Sequence, residues 1–259
     1  MIIEIDDPRD DRLAPYRDVK DRDLTGRDGL FMAEGKVVLE RLFASPLAET
    51  ISVLTTPERL RGLAYLPEAP VYVVPQEIMD AVAGFPIHRG YLALGRYAPA
   101  LSLNEALAGE CVRVLVLSGI ANTDNMGGLL RNAAAFGVDA VILDATCCDP
   151  LYRKAIRVSV GGVLQVPHYR VDDLVGVLQA HDLTAYALSP AGELTLDAIR
   201  PAMRSAMLFG AEGPGLSAEV MKACTTVRIE MSGGFDSLNV ATTSGIVLYQ
   251  ICRQRERLV

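Results

Sequence analysis

Apolar, β-like runs alternate with helical patterns through the second part of the chain, and this alternation strongly restricts the fold. The runs lie at 112–118, 139–144, 183–189, 206–210 and 226–231, and the helical patterns at about 127–136, 171–180, 217–223 and 240–256. Strands that are apolar on both faces and separated by helices are typical of a parallel sheet covered on both sides. The pattern predicts an α/β domain whose ligands bind at the carboxyl ends of the strands.

The first part of the chain predicts a smaller α/β module. Residues 1–28 are rich in both acidic and basic side chains and are expected to form a solvated arm with one short helix. The following elements are expected to be a helix at 31–44, a strand at 49–55, a polar helix after Pro57, a strand at 71–74, a helix at 76–82 and a strand at 91–97. With a linker at 99–109, we predict two domains, residues 1–108 and 109–259.

Composition narrows the class of protein. A net charge of −7 disfavours a general polyanion binder, so an RNA partner would need a local cluster of basic residues, and DNA is not expected. The three histidines lack metal-ligand spacing, and the five cysteines contain no C-x-x-C pair, so no metal site is predicted. Without a long apolar run or a basic leader, the expected location is the cytoplasm, with no membrane partner.

The loop after the run at 112–118 offers several hydrogen-bonding side chains. Residues 122–125 supply a helix N-cap, and Gly127 and Gly128 allow close backbone approach. Arg131 follows one and a half turns into the helix and can reach back toward an anionic or hydroxyl-bearing ligand. The alternative is an ordinary capped helix with a solvated arginine.

A glycine-rich turn follows the run at 206–210. Gly210, Gly213 and Gly215 predict a tight turn with accessible backbone groups, and Glu212 lies among them. The turn is neither G-x-G-x-x-G nor a P-loop, which disfavours a dinucleotide or triphosphate site. The alternative is a plain turn that ends at Ser217 as the N-cap of the next helix.

The third polar segment opens the C-terminal helix. Ser237 is the expected N-cap, and Asn239 is expected in the first turn. The small residues at 241–245 suit close packing against another backbone. An amphipathic helix with a good cap is the alternative, but it does not explain the crowding of Ser, Asn and Gly at the helix entrance. Three such loops at strand ends predict one shared ligand site.

Taken in order, these residues resemble the motifs of the SpoU-type RNA methyltransferases of the SPOUT superfamily. The matching motifs are N-x-G-x-x-x-R (Asn125, Gly127, Arg131), G-x-E-G-x-G-L-S (Gly210 to Ser217) and I-x-M with S-L-N-V (Ile229, Met231, Ser237 to Val240), with KAIRVSVGG (154–162) between the first two. Ala211 departs from the pattern, which often has Asn there. Residues 31–42 and 87–94 resemble the small RNA-binding module that often precedes this domain.

The resemblance implies a trefoil-knotted α/β domain, S-adenosylmethionine as methyl donor, a ribose 2′-hydroxyl of rRNA or tRNA as acceptor, and a homodimer. It implies that Arg131 acts on the 2′-hydroxyl and that Asn125, Glu212, Ser237 and Asn239 orient it and the loops. It assigns the cofactor to Leu188, Gly210, Gly215, Ile229, Met231 and Leu238. Because a guanidinium stays protonated, Arg131 is expected to orient the acceptor and stabilise the developing alkoxide.

The acidic net charge predicts a narrow basic RNA footprint built from Arg89, Arg131, Arg153, Lys154 and Arg157, to which His88 can add a contact. Two rival hypotheses remain. One is a non-catalytic RNA-binding protein that keeps the fold. The other is a nucleotide-dependent α/β enzyme, which the missing phosphate fingerprints disfavour.

Overall fold

The computed structural model describes residues 1–17, 29–84, 86–87, 90–233 and 237–256, the last five of these by their backbone. The chain forms two compact units. The first comprises residues 1–100 together with 149–165, and the second comprises 101–148 together with the residues from 166 onward. Residues 149–165 therefore pack with the first unit, although the predicted boundary at 108/109 assigns them to the second domain. The functional division of the chain stays a prediction.

The first unit is built on a mixed five-stranded sheet in the order β1-β4-β3-β5-β2. Strands β1, β4 and β3 run parallel to one another, and β5 is antiparallel to both β3 and β2. Its elements are β1 (Ile2–Glu4), a 3-10 helix (Asp11–Tyr16), β2 (Leu30–Glu34), α1 (Lys36–Phe43), β3 (Ala48–Thr55), α2 (Pro57–Leu60), β4 (Val71–Val73), α3 (Gln76–Ala83) and β5 (Tyr91–Tyr97).

The start of the chain is part of the core of this unit. Leu13 and Tyr16 are fully buried, and the Tyr16 hydroxyl lies 2.7 Å from the buried Ser52 hydroxyl. Residues 2–4 pair with β4. The prediction of a solvated arm is therefore wrong for residues 1–17, because a few apolar side chains among the charges suffice to anchor the segment. Residues 18–28 lie outside the described part.

The predicted helix at 31–44 is two elements. Residues 30–34 form a strand that pairs with β5, and Gly35 separates it from α1 with a φ of 94°, a value that glycine adopts at no steric cost. The four residues before Gly35 are all buried. A short buried strand and a buried helical turn have the same apolar pattern, and this explains the error.

Residues 149–165 add a short helix, α6 (Arg153–Val158), and a 3-10 turn (Gly162–Leu164) to the first unit. The carboxylate of Glu34 in β2 is nearly buried, and one of its oxygens lies 3.5 Å from a guanidinium nitrogen of both Arg153 and Arg157. Arg41 in α1 donates to the carbonyl of Val160. These polar contacts hold the segment against β2 and α1.

The second unit contains a seven-stranded sheet in the order β10-β12-β9-β11-β6-β7-β8, and every pairing in it is parallel. The predicted parallel α/β architecture is confirmed. The elements are α4 (Leu103–Ala106), β6 (Val112–Leu117), α5 (Thr123–Ala135), β7 (Ala140–Leu143), β8 (His168–Arg170), α7 (Leu174–Ala180), β9 (Thr184–Leu188), β10 (Leu194–Thr195), β11 (Arg204–Phe209), α8 (Ala218–Lys222), β12 (Thr225–Arg228) and α9 (Val240–Glu256).

Three predicted boundaries differ from the observed ones. The expected linker at 99–109 contains α4, which begins with a capping box between Ser102 and Glu105. Helix α5 begins at Thr123 because the side chain of Asn122 caps it there. Strand β12 ends at Arg228, so the last three residues of the predicted run at 226–231 follow the strand.

Helices α5 and α9 pack closely through small residues. A Cβ built on Gly128 would lie 2.6 Å from the Cβ of Ala241, so only glycine allows this approach. Next to it, the Asn132 side chain donates to the carbonyl of Ala241 at 2.7 Å and to the Ser244 hydroxyl at 2.8 Å. The predicted close packing of residues 241–245 is confirmed. In the described part, no helix is long and apolar enough to cross a membrane.

Candidate functional site

The three polar loops lie together at the carboxyl edge of the parallel sheet. Strands β11 and β6 pair over six residues, so the loops that leave them start side by side. Strand β9 pairs with β11 on one side and with β12 on the other. The loops after β6, β11 and β12 therefore meet, as expected for a ligand site in a parallel α/β sheet.

A cavity of about 580 Å³ opens at this edge, within the size range of small-molecule sites. Its lining comes from the ends of β9, β11 and β12 and from the entrance of α9. The lining residues are Leu188, Ser189, Pro190, Phe209, Gly210, Ala211, Glu212, Gly213, Gly215, Val227, Ile229, Met231, Ser237, Leu238, Asn239, Val240 and Thr243. The six residues that the resemblance assigns to the cofactor are all among them.

The glycine-rich turn forms one wall of the cavity. The Gly215 amide donates to the Ala211 carbonyl at 3.0 Å, which closes a tight loop. Gly213 and Gly215 have φ values of 88° and 70°. A Cβ at Gly210 would lie 2.3 Å from the Gly215 carbonyl carbon, so a side chain cannot enter there without opening the turn. The chain thus presents backbone groups to the cavity where the sequence predicted them.

A hydrogen-bonded network links the three loops at the rim. The side-chain amide of Asn125 donates to Glu212 Oε1 at 2.8 Å. The side-chain amide of Asn239 donates to Asn125 Oδ1 at 2.8 Å and approaches Glu212 Oε1 at 3.5 Å. Asn125 is buried, whereas Glu212 and Asn239 are exposed. One buried amide therefore fixes the other two side chains at the mouth of the cavity.

Asn239, rather than Ser237, caps helix α9. Its Oδ1 accepts from the Ala241 amide at 2.9 Å and from the Thr242 amide at 3.2 Å, as an N-cap side chain does. Ser237 lines the cavity two residues earlier. The predicted cap position is wrong because both residues are good caps, and the bond from Asn239 to Asn125 fixes the helix start at the later one.

Arg131 lies apart from the cavity lining. Its side chain is exposed on α5 and makes no hydrogen bond or ion pair with the other residues that the structure describes. Arg131 lies six positions after Asn125 in the helix, which turns the two side chains to different sides of α5. The structure thus groups Asn125, Glu212, Ser237 and Asn239 at the cavity and leaves the Arg131 guanidinium available to a ligand outside it.

The predicted basic footprint is only partly described. His88 and Arg89 lie outside the described residues. Arg153 and Arg157 belong to the first unit, and both pair with Glu34 there. Their guanidinium charge is therefore partly neutralised by a carboxylate of the same unit. No group of three or more potential metal ligands occurs in the described part of the chain.

Sequence reasoning missed several lining residues. Ser189 and Pro190 follow β9, Phe209 ends β11, and Thr243 lies one turn into α9. Ser189 and Phe209 adjoin Leu188 and Gly210, which the resemblance assigned to the cofactor, whereas Pro190 and Thr243 lie two and three residues beyond an identified residue. The available signal was their position near a predicted strand end or helix start. Side chains such as these carry no chemistry that marks them in a sequence.

The lining residues fit S-adenosylmethionine. Phe209, Val227, Ile229, Met231 and Leu238 provide an apolar surface for the flat purine, and the turn at 211–215 provides backbone donors and acceptors for its polar edge. Glu212 provides a carboxylate near the rim, where it can face a sulfonium or an ammonium group.

Residues 113–249, more than half of the chain, match the sequence model of the SpoU rRNA methylase family. The chain belongs to this family. Membership in the SpoU family confirms the resemblance that the motifs predicted, and with it the class of enzyme, an S-adenosylmethionine-dependent RNA methyltransferase.

The chain is also similar to curated RNA methyltransferases. An uncharacterised tRNA/rRNA methyltransferase of Mycobacterium tuberculosis is 38% identical over 266 residues, which cover 96% of this chain and 91% of the relative. The 23S rRNA (guanosine-2′-O-)-methyltransferase RlmB of Acinetobacter baylyi is 31% identical over 191 residues, which cover 70% of this chain and 77% of RlmB.

Solved structures of other methyltransferases have the same fold. The crystal structure of an RNA 2′-O ribose methyltransferase superposes with a TM-score of 0.79 at 26% identity, over 98% of this chain and all of the other. The SpoU methyltransferase AviRb from Streptomyces viridochromogenes, solved in complex with AdoMet, gives a TM-score of 0.81 at 21% identity over 96% of this chain and 99% of AviRb. At that identity the likeness concerns the fold alone.

Proposed function

We propose that this chain methylates a ribose 2′-hydroxyl of rRNA or tRNA. The observation that carries the proposal is the network of Asn125, Glu212 and Asn239 at the rim of the cavity, because it joins the three motif loops around one opening. The similarity to RlmB, a guanosine-2′-O-methyltransferase, supports the 2′-hydroxyl as acceptor. The same network disfavours a non-catalytic RNA-binding protein, which has no need of it.

The cavity would hold S-adenosylmethionine, which supplies an electrophilic methyl group when bound. Leu188, Ile229, Met231 and Leu238 would contact its apolar parts, and the backbone at Gly210 and Gly215 would bond its polar edge. The protein would mainly position the acceptor oxygen in line with the methyl group, so that the O–C bond forms as the S–C bond breaks. The hydroxyl proton would pass to an oxygen of the adjacent RNA phosphate or to water, since the guanidinium of Arg131 stays protonated.

Arg131 would act on the acceptor from outside the cavity. Its exposed guanidinium, which has no partner among the described residues, can hold a phosphate next to the reacting ribose and stabilise negative charge on the 2′-oxygen. Asn125 and Asn239 would hold Glu212 and the loop ends in place, and Ser237 would orient the hydroxyl. The positive charge that binds RNA would be local to the site, so the net charge of −7 on the whole chain is compatible with RNA binding.

The remaining predictions extend this proposal to the whole chain. The first domain, residues 1–108, would select the RNA, and the chain after the glycine-rich turn would thread a trefoil knot. The enzyme would be a cytoplasmic homodimer. The exposed apolar side chains of Leu238, Ile246 and Tyr249 on and before α9 support a twofold contact, since Val247, Leu248 and Ile251 are already buried within one chain.

Nucleoside analysis tests the proposed reaction. Total rRNA and tRNA from cells that lack the protein are incubated with the pure protein and S-adenosylmethionine labelled in its methyl group, and the RNA is digested to nucleosides. We expect the label in a 2′-O-methylnucleoside, located by mass spectrometry on the ribose. Label on a base, or no transfer to either RNA class, would contradict the proposal.

Mixed dimers test whether two chains share one active site. Arg131→Ala and the cavity-filling Leu188→Trp are both expected to be inactive alone. If Arg131 of one chain serves the cavity of the other, a refolded mixture recovers activity, because about half of random dimers are mixed and each mixed dimer carries one intact site. A mixed dimer without activity would place each active site within a single chain. A fully active monomer would contradict the proposed homodimer.

A further inference from the structure

The carboxylate of Asp144 is a hydrogen-bond hub that none of the three motifs includes. Asp144 follows β7 and accepts five hydrogen bonds. The Ser118 hydroxyl donates to it at 2.6 Å and the Gly119 amide at 3.2 Å. The Thr146 amide and hydroxyl donate at 2.9 and 2.8 Å, and the Cys147 amide at 3.0 Å. Four of these bonds end on one oxygen, Oδ1.

Two of the donors belong to the segment that leads from β6 to α5. The same segment bonds to the neighbouring loop through its backbone: the Cys148 amide donates to the Ile120 carbonyl at 2.8 Å, and the Asp144 amide donates to the Leu117 carbonyl at 3.1 Å. Arg170 donates to the Asp144 and Cys147 carbonyls at 2.7 and 3.1 Å. Residues 117–120 are therefore fixed to the loop 144–148 along their whole length.

The other side of this segment touches the glycine-rich turn. The Ser118 amide donates to the Phe209 carbonyl at 3.0 Å. Gly119 has a φ of 71°, and a Cβ there would lie 3.1 Å from the Cβ of Ala211. Two residues after Ile120, Asn122 caps α5, which carries Asn125. A shift of Gly119 would therefore move both the wall of the cavity and the start of α5.

We propose that Asp144 is a positioning residue for methyl transfer, which holds the loop before α5 against the glycine-rich turn and so sets the distance between Asn125 and Glu212. The proposal rests on the proposed function. Asp144 is not among the residues that line the cavity, so it would act through its hydrogen bonds. The amide of an asparagine can reproduce its contacts, since Oδ1 keeps four donors and the Ser118 hydroxyl can accept from the amide nitrogen.

Three variants test the proposal. Asp144→Ala removes the hub, and Asp144→Asn keeps the hydrogen bonds without the charge. Asp139→Ala is the matched control, because Asp139 lies at the other end of β7 and accepts from the Arg113 amide of β6 at 2.7 Å. All are compared by kcat and KM for RNA, by affinity for S-adenosylmethionine and by thermal unfolding.

Asp144→Ala should lower kcat at least about tenfold, since small displacements of catalytic groups have effects of this size or larger. Its affinity for S-adenosylmethionine should stay within about threefold, and Asp144→Asn should recover most of kcat. Asp139→Ala should lose stability and keep kcat within about twofold. Equal kcat in Asp144→Ala and wild type overturns the proposal, as does an Asp144→Asn variant as slow as Asp144→Ala or an equal loss of kcat in Asp139→Ala.

If Asp144→Ala does not fold, Ser118→Ala tests the proposal instead, because it removes one of the five hydrogen-bond donors to Asp144. We expect its kcat to fall about threefold and the Gly119 and Ile120 amides to exchange hydrogen faster. Unchanged kcat and exchange would overturn the proposal. A wild-type protein without methyl transfer would overturn the proposed function and this inference together, whereas an active wild type with an equally active Asp144→Ala overturns this inference alone.

Discussion

The amino edge of the seven-stranded sheet, where its strands begin, and the carboxyl edge, where they end, use polar side chains differently. At the amino edge, Arg204 donates to the carbonyls of Leu107 and His181 at 3.0 and 2.7 Å, and Asp139 accepts from a backbone amide of β6. At the carboxyl edge, Asn125, Glu212 and Asn239 bond to one another across three loops, beside a cavity. The amino edge satisfies backbone groups, whereas the carboxyl edge holds side chains in place for a ligand.

The comparison separates stability from function. Polar residues whose partners are backbone groups at the amino edge should affect unfolding when they are replaced and leave methyl transfer intact. Those that bond to one another at the carboxyl edge should affect methyl transfer and leave unfolding nearly unchanged. Arg131 and Arg204 are compared as arginines with and without a proposed role in methyl transfer, and Asn239 and Asn122 as asparagines inside and outside the network.

The largest effect is expected at Arg131. Arg131→Ala should lower methyl transfer at least about a hundredfold, because it removes the charge that we propose stabilises the developing alkoxide. Stability should change by less than about 0.5 kcal/mol, since the exposed side chain makes no bond within the described part of the chain. Affinity for S-adenosylmethionine should stay within a few-fold by calorimetry. Arg131→Lys should also be inactive, because an ammonium group cannot replace the planar guanidinium. Methyl transfer at the wild-type rate in either variant would show that Arg131 has no role in the mechanism.

A smaller effect is expected at Asn239. Asn239→Asp keeps the oxygen that caps α9 but removes the donor to Asn125 and places a second carboxylate beside Glu212. We expect activity to fall about thirtyfold, within the range for one lost active-site hydrogen bond, and the melting temperature to stay nearly constant.

Asn122→Asp is the matched control for this change. Asn122 caps α5 with its own side-chain oxygen, and its amide is outside the network. Its activity should stay within about threefold of wild type. Equal losses in the two variants would show that charge near the helix ends, and not the network, governs the rate.

Arg204→Ala tests the amino edge. The variant leaves the Leu107 and His181 carbonyls without their guanidinium donor. We expect the free energy of unfolding to fall by about 1 to 2 kcal/mol and kcat to be unchanged at a temperature where the variant is folded. A loss of kcat comparable to that of Arg131→Ala would break the distinction between the edges.

The smallest effect concerns pH and His168, the first residue of β8. Burial lowers the pKa of this imidazole to about 3, against the opposing effect of a hydrogen bond at Val166. The unfolded chain takes up the proton below about pH 6.5 and the folded chain does not, so stability falls as pH decreases from 6.5 toward 3.

Denaturant unfolding at pH 7.0 and 5.5 measures this dependence. We expect a decrease of about 1 kcal/mol between the two pH values in the wild type, and a smaller decrease in His168→Gln. The same decrease in both proteins would assign the pH dependence to another group.

In both units the sequence predicts some strands and misses others, for a physical reason. The predicted strands at 49–55, 71–74 and 91–97 agree with β3, β4 and β5 within one residue, whereas β1 and β2 of the first unit and β8 and β10 of the second are missed. Strands of a parallel sheet are apolar on both faces, and this pattern located β6, β7, β9 and β11 within about two residues. The first unit has short strands in a mixed sheet, where a four-residue run such as 31–34 does not distinguish strand from helix. The run forms a strand because it pairs with β5, which is distant in the sequence.

The candidate site was predictable where a motif carries it. The motifs named Asn125, Glu212 and Asn239, but not the bonds among them or the true cap of α9. Asp144 has no motif, because its five donors come from backbone and side chains that only the fold brings together. A local sequence motif identifies the residues of the candidate site. The residues that position them, such as Asp144, can be identified only from the tertiary structure.

Hydrogen exchange with and without S-adenosylmethionine tests most directly whether the carboxyl edge is the active site. We expect the cofactor to slow exchange in peptides covering 188–190, 209–216 and 237–243. We expect no change in the amino-edge peptides at 107–113 and 200–204. Protection at the amino edge, or binding without protection of the glycine-rich turn, would show that the cofactor binds elsewhere.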